Sequence, residues 1–160
     1  MKIPKLVRID LDKPITELVK KSNHKILGIW AADCAERVLP YFEKKYPKDN
    51  RPRKAIKALR VWVQTGVFKM ADIRRDALAA HAAAREVTEN SAARSAARAA
   101  GQALATAHVP THSIAAAVYA ATAVRDTTGS MDAVTEERDW QYQHLLQLTN
   151  LYKTGLKLVV

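Results

Sequence analysis

The amino-acid sequence predicts a single all-α domain of about six or seven helices, with an alanine-rich helix at its centre. Apolar residues recur at three- and four-residue spacing along most of the chain, and no strand-like alternation of useful length follows residue 15. Alanine accounts for 22 of the 54 residues from 71 to 124, which favours closely packed helices. A chain of 160 residues can bury one core without disulfides or a structural metal. An irregular array of antiparallel helix pairs is the alternative arrangement.

Residues 1–14 are predicted to form a basic arm or short extended segment, ahead of a single helical domain over residues 15–160. The arm contains two prolines, Pro4 and Pro14, which disfavour a helix at and just before their positions. A short helix is predicted to follow, from Ile15 to Lys21.

The second helix is predicted to start after Asn23, a residue type that is common at N-caps. Cys34 lies on its apolar stripe with Trp30, so we expect it to pack in the core. A nucleophilic cysteine would need partial exposure and a nearby base. Pro40 lies inside the same pattern, and its ring clashes with the carbonyl of Glu36, so we expect the helix to kink or restart there.

The third helix follows a polar turn. Asp49 or Asn50 is expected to cap it, and Pro52 is tolerated in its first turn. Gly66 is expected to end it in the left-handed conformation. A fourth helix is then predicted over residues 70–88, with apolar residues and His81 on one face.

The fifth helix is predicted to be the central one, because alanine covers nearly every face of the segment SAARSAARAAGQALATA. Ser91 is expected to cap it, and the helix should end near Val109 because Pro110 cannot continue it. An exposed low-complexity helix is the alternative. It is disfavoured because a helix without large apolar residues has little else to hold it.

Central placement requires partners for the polar residues of the fifth helix. Arg94, Arg98 and Gln102 follow one another at four-residue spacing and share one face. Because a buried guanidinium needs charge compensation, we expect an arginine–carboxylate network that links the second, fifth and seventh helices. The carboxylates available to this network are Asp33, Glu36, Glu137 and Asp139.

Two further helices complete the predicted domain. Thr111 is expected to open the sixth, which should fade in the segment DTTGS. Ser130 or Asp132 is expected to open the seventh, and Gly155 to close its tail.

Three charged residues of the second helix belong to a candidate polar cluster. Asp33 and Arg37 are one helical turn apart and are expected to pair, while Glu36 lies beside the turn that Pro40 disturbs. The full cluster consists of Asp33, Glu36, Arg37, His81, Arg94, Arg98, Gln102, His108 and His112.

The histidines of this cluster raise the question of a metal site. His108 and His112 have the spacing of two ligands on one helix, and His81 or Asp33 is the available third ligand. Pro110 interrupts the helix between the first two, and histidines that bond helix ends are commoner than ligands, so no metal is expected. Nucleotide, dinucleotide, zinc-protease and α/β-hydrolase motifs are absent, and no cofactor is expected. An uncharacterised enzyme or metal protein that uses the cluster remains an alternative function.

The positive charge is concentrated in the first half of the chain. Residues 1–75 hold 19 Lys and Arg against 8 Asp and Glu, within a total net charge of +10. A nucleic-acid-binding module would use this basic half, and it is a second alternative function. A solvated charged face is the ordinary explanation of such a pattern. The candidate basic patch consists of Arg53, Lys54, Lys57 and Arg60.

The cellular location of the protein is predicted from the lack of an export signal and of a membrane-spanning segment in its sequence. A single cysteine excludes an internal disulfide, and the first ten residues contain no apolar segment typical of an export signal. The longest apolar run, residues 114–124, is too short to span a bilayer. We therefore expect a cytoplasmic protein without a membrane partner.

Three segments together resemble a known family. They are WAADCAERVLPYFEKKYPKDNRPRKAI, then ALAAHAAAREV with SAARSAARAAGQALATAHVPTHS, and finally ERDWQ. They are similar to the putative immunity protein family, the immunity-five-like group of bacterial polymorphic-toxin systems, over about residues 27–145. The resemblance implies an all-helical, non-catalytic cytoplasmic protein that binds a cognate toxin and blocks it. A homodimer through alanine-rich helices or the apolar tail at residues 156–160 is a further possibility for its partners.

Overall fold

Seven α-helices make up most of the computed structural model, which describes residues 5–89 and 91–155. No strand occurs in these residues, so the predicted all-α class is confirmed. The helices are α1 (Asp12–Lys20), α2 (His24–Glu43), α3 (Arg51–Thr65), α4 (Met70–Glu86), α5 (Ser91–Ala105), α6 (His112–Thr128) and α7 (Met131–Lys153).

The alanine-rich helix α5 lies at the centre, as the sequence predicts. It packs against α2, α3, α4 and α6, and ten of its fifteen residues are buried. Methyl side chains let the neighbouring helix axes approach closely, so the surrounding helices supply the large apolar residues of the core. Among these are Trp30, Phe42, Ile56, Leu59 and Leu145.

Helix α2 continues through Pro40 to Glu43, so the predicted restart is wrong. The proline lies in the last turn, where losing one backbone hydrogen bond costs less than in the middle of a helix. Leu39 and Phe42 on either side of it are buried in the core. Packing of this face therefore outweighs the local preference for a break.

Most of the predicted helix ends are confirmed. The side chains of Asn23, Asp49 and Ser130 accept hydrogen bonds from backbone N–H groups in the first turns of α2, α3 and α7, at 2.8, 3.1 and 3.1 Å. Gly66, at the end of α3, has φ of 68°, the left-handed conformation that favours glycine. The sequence therefore encodes these ends locally, through side chains that satisfy exposed backbone groups.

Three predicted boundaries need correction. Helix α1 begins at Asp12 rather than Ile15, because Pro14 occupies the first turn, where no backbone N–H donor is required. The predicted arm is therefore helical over its last three residues. Ser91 is the first residue of α5 rather than its cap, and α5 ends at Ala105, four residues before the predicted end.

The described part of the predicted arm packs on the domain. Val7 is buried and forms a small apolar cluster with Ala121 and Val134. Its backbone N–H donates to the hydroxyl of Thr122 at 3.2 Å. Seven of the eight alanines of α5 are buried within the chain, so this helix offers little surface for a dimer. The apolar tail at 156–160, the other predicted dimer contact, lies outside the described residues.

Candidate functional site

The first part of the candidate polar cluster forms an ion-pair network between α2, α3 and α7. The guanidinium of Arg37 donates two hydrogen bonds of 2.9 Å to the carboxylate of Glu137. It also lies over the ring of Trp140, with 3.8 Å between its central carbon and the ring centroid. The carboxylate of Glu137 is nearly buried, so Arg37 compensates a charge that water does not reach.

Asp33 joins the same three helices through different partners. Its carboxylate accepts a hydrogen bond from Arg60 of α3 at 2.9 Å and contacts the Nε2 of His144 of α7 at 2.7 Å. Arg60 also donates to Glu36. The expected pairing of Asp33 with Arg37 along α2 is therefore wrong, because each side chain reaches a partner on a neighbouring helix.

The polar face of α5 does not join this network, and the predicted link between α2, α5 and α7 is wrong in that respect. Arg94 donates to the backbone carbonyl of Val87 at 2.9 Å, and Arg98 donates to the Nδ1 of His81 at 3.0 Å. The hydrogen bonds of this face reach His81 of α4 and His112 of α6, whereas the carboxylates of the network lie on α2 and α7. The guanidinium groups of α5 therefore lack the carboxylates that the sequence analysis assigned to them.

Gln102 continues the α5 face towards α6. Its side-chain oxygen accepts a hydrogen bond of 2.8 Å from the Nδ1 of His112. Burial, and secondarily the charge of His108, lowers the pKa of His112 below its ordinary value. Among residues 5–89 and 91–155, no group of three or more His, Cys, Asp or Glu side chains is arranged to hold a metal ion.

His81 is held as a neutral acceptor. Burial and the neighbouring positive charges of Arg98, Arg85 and His112 lower its pKa to about 4. Its ring lies so close to Gly101 that a Cβ atom there would be 2.7 Å from Nε2. The absence of a side chain at Gly101 thus makes room for the histidine between α4 and α5.

The candidate basic patch is largely neutralised by carboxylates. Arg53 pairs with Glu43 at 2.6 Å, and its hydrogen bond lowers the pKa of that carboxyl group. Lys54 lies 3.7 Å from Asp76, and Arg60 belongs to the α2–α3–α7 network described above. Only Lys57 of the four has no ion pair within the described part of the chain, and its side chain is exposed.

Cys34 is fully buried, as its place on the apolar stripe predicts. Burial raises the pKa of its thiol well above the ordinary value, with the charge of Glu137 acting in the same direction. The thiol therefore remains protonated and is shielded from solvent, which is typical of a packing role.

The sequence did not single out a group of exposed apolar residues at the junction of α3 and α4. We call it the α3–α4 patch; it consists of Val61, Val67, Phe68 and Met70, each between 39% and 59% exposed. These four are half of the eight large exposed hydrophobic residues in the described chain, and they fall within ten positions. The segment GVFKM could have indicated this group, because its apolar residues follow the end of a helix and do not lie on the buried face of that helix.

His108, a member of the candidate polar cluster, contacts this patch. The ring of Phe68 stacks on His108, with 6.1 Å between centroids and 23° between planes. Trp62, at the end of α3, is half-buried and packs against the ring of His24 at 4.7 Å. The ring of Phe68 is therefore held by a neighbouring side chain although it is exposed.

Comparison with known proteins identifies the family. A model of the family described as "Imm-5 like putative immunity protein" matches residues 17–148, which is most of the chain. The chain belongs to this family. No curated protein and no solved structure matched in the corresponding searches. The resemblance of the three sequence segments is thus confirmed for this Imm-5 like protein, over a range that includes α2 to α6 entirely.

A helix that crosses a membrane must be both long and apolar. In the described ranges, 5–89 and 91–155, none is both long enough and apolar enough to span a bilayer.

Proposed function

We propose that this Imm-5 like protein is a non-catalytic immunity protein that binds a protein toxin through the α3–α4 patch. The observation that carries the proposal is the patch itself. Large exposed apolar side chains that gather in one place are typical of protein-binding surfaces, whereas isolated ones are ordinary. The membership of the chain in an immunity family supplies the class of partner.

The geometry of Phe68 favours tight binding by this surface. Its ring is 44% exposed, yet it stacks on His108 and is already held in place. A pre-positioned aromatic side chain loses little conformational freedom when a partner covers it. Such residues commonly dominate the binding energy of an interface.

Charge favours a partner with an acidic surface around an apolar centre. Lys69 lies within the patch sequence and is exposed, and the half of the chain that contains the patch carries most of the positive charge. Opposite charge at the rim of an interface accelerates association and selects partners, while the apolar centre provides affinity that salt does not screen.

The two alternative functions have less support. Three of the four basic-patch residues already pair with carboxylates, which reduces the attraction that the patch offers to phosphates. Among the described residues, those of the enzyme hypothesis do not share one hydrogen-bonded site. Asp33 and Glu36 accept hydrogen bonds from Arg60, whereas His81 accepts from Arg98. His112 bonds to Gln102, and His108 stacks on Phe68.

The proposal is tested first by capture of binding partners and then by rescue of cell growth from the captured protein. Tagged protein is used to capture partners from its native cells at low and high salt, and recovered proteins and nucleic acids are both identified. A protein retained at high salt is then expressed in cells with and without this chain. We expect it to stop growth alone and to be neutralised by co-expression.

Two matched variants locate the binding surface. Phe68→Asp places a charge in the α3–α4 patch and should weaken toxin binding by about 2 kcal/mol or more, about 30-fold in Kd. Leu78→Asp changes an apolar residue of α4 that is outside the patch and even more exposed than Phe68, and it should leave rescue unchanged. Recovery of nucleic acid alone, or full rescue by Phe68→Asp, would overturn the proposal.

A further inference from the structure

A cavity of about 330 Å³ lies between α5 and α6, next to the first described residues of the chain. Four residues on its wall come from the first half of α5, and three come from α6. The lining residues are Lys5, Ser91, Arg94, Ser95, Arg98, Tyr119, Arg125 and Asp126. None of the predicted carboxylate partners of Arg94 and Arg98 is among them.

Positive charge dominates this cavity. Four of its lining residues are cationic, and Asp126 is the one carboxylate among the described residues that line it. That carboxylate pairs with Arg125 at 2.8 Å. The wall of the cavity therefore carries a surplus of three positive charges.

The two arginines of α5 contribute positive charge that no carboxylate of the described residues balances. Arg94 donates to a backbone carbonyl, and Arg98 donates to the neutral ring of His81. Neither guanidinium forms an ion pair with a carboxylate anywhere in residues 5–89 and 91–155. Both side chains are partly buried, and taking a charge out of water without a counter-charge is unfavourable.

We propose that this cavity binds a phosphate-type oxyanion, either a phosphate monoester or a pyrophosphate group of a small molecule. A guanidinium group can donate two hydrogen bonds to two oxygens of one phosphate, and a partly enclosed site strengthens each charged hydrogen bond. Lys5 adds a further cation, and the hydroxyl groups of Ser91, Ser95 and Tyr119 offer neutral donors for the remaining oxygens. A polyanion matches three surplus charges better than a single carboxylate does.

The proposal is tested by isothermal titration of the full chain with inorganic phosphate, pyrophosphate and citrate, at matched ionic strength. Pyrophosphate is expected to bind with saturable heat and more tightly than citrate. Arg94→Gln should weaken pyrophosphate binding by about tenfold or more, because it removes a charged donor. Arg53→Gln removes one positive charge from α3, which contributes no residue to the wall of the cavity, and should leave the affinity unchanged.

A second variant keeps the test valid if Arg94→Gln perturbs the fold. Tyr119→Phe removes one hydroxyl group and keeps the ring, and it should weaken pyrophosphate binding by about threefold or more. Circular dichroism and thermal unfolding without ligand report whether each variant is folded. The proposal is overturned if the wild-type protein shows no saturable binding of phosphate or pyrophosphate, if citrate binds more tightly, or if folded Arg94→Gln and Tyr119→Phe both bind as the wild type does.

Discussion

Gly101 lies where the ring of His81 from α4 packs directly against the backbone of α5. A Cβ atom there would be 2.7 Å from Nε2 and 2.8 Å from Cε1 of the ring. Glycine to alanine in a helix normally stabilises by about 1 kcal/mol. Here we expect Gly101→Ala to destabilise the protein by about 1–2 kcal/mol, because the ring must move and its bond to Arg98 is lost. Denaturant unfolding of the two proteins measures the difference.

A double-mutant cycle separates this steric effect from other causes. In the His81→Ala background the ring is absent, so Gly101→Ala should become neutral or stabilising through its helix propensity. If Gly101→Ala destabilises both backgrounds equally, the close approach of His81 is not the reason that glycine is needed.

The lowered pKa of His81 gives the stability a defined dependence on pH. Its folded-state pKa is about 4, below its ordinary value of 6.5, so the unfolded chain takes up a proton more readily between these values. The stability contributed by neutral His81 is present above pH 6.5 and is lost as pH falls towards 4. We expect the denaturant midpoint to decrease over this window.

The variant His81→Gln tests the assignment of this pH effect. Glutamine keeps a side-chain acceptor for Arg98 and does not titrate, so the decrease over the window should be smaller than in the wild type. Some decrease should remain, because the pKa of His112 is lowered in the same direction. Equal pH profiles for the two proteins would contradict the assignment to His81.

At the scale of helices, one fully buried arginine joins the two ends of the chain. Arg138 of α7 donates to the carboxylate of Asp12 of α1 at 2.7 Å and to the side-chain oxygen of Gln141 at 2.8 Å. The side-chain nitrogen of Gln141 in turn donates to the backbone carbonyl of Ala117 in α6. The backbone carbonyl of Gln141 accepts a hydrogen bond from the indole of Trp30 in α2. This polar group therefore fixes how α7 lies against three other helices.

We expect Asp12→Ala to destabilise the protein by about 3 kcal/mol, because it leaves the buried Arg138 without its counter-charge. Denaturant unfolding measures the loss. Asp132→Ala is the matched control, since this aspartate lies in the first turn of α7 and is exposed. It should cost under about 1 kcal/mol, the usual effect of an acidic residue at a helix start. Equal losses would mean that Asp12 acts only through the end of α1.

The helices could be predicted from sequence because their signals are local. Caps such as Asn23 and Ser130 bond within their own first turn, and the alanine content of α5 indicates close packing on several sides. Contacts between helices could not be predicted in this way. Arg37 and Asp33 have many geometrically acceptable partners, and the choice depends on which helices meet. Arg138 did leave a signal, because it falls at four- and seven-residue spacing from Val134 and Leu145 on the buried stripe.

At the scale of the whole molecule, the enclosure of α5 separates the two proposed binding regions. The α3–α4 patch lies where α3 and α4 meet, whereas the cationic cavity lies between α5 and α6. Both regions are attached to α5, which contacts α3, α4 and α6. A ligand in the cavity would therefore stabilise the same helix that supports the patch, without contacting the surface proposed to bind a toxin.

The central position of α5 also predicts the order in which the protein opens. Native-state hydrogen exchange should show the slowest amides in α5, near the free energy of global unfolding, because four helices cover it. The amides of α1 should exchange faster, since this helix packs mainly on α6 and α7 and lies at the edge of the core. The measurement follows exchange rates at increasing denaturant concentration. If α1 exchanges as slowly as α5, the domain opens only as one unit, and α5 has no special place in its stability.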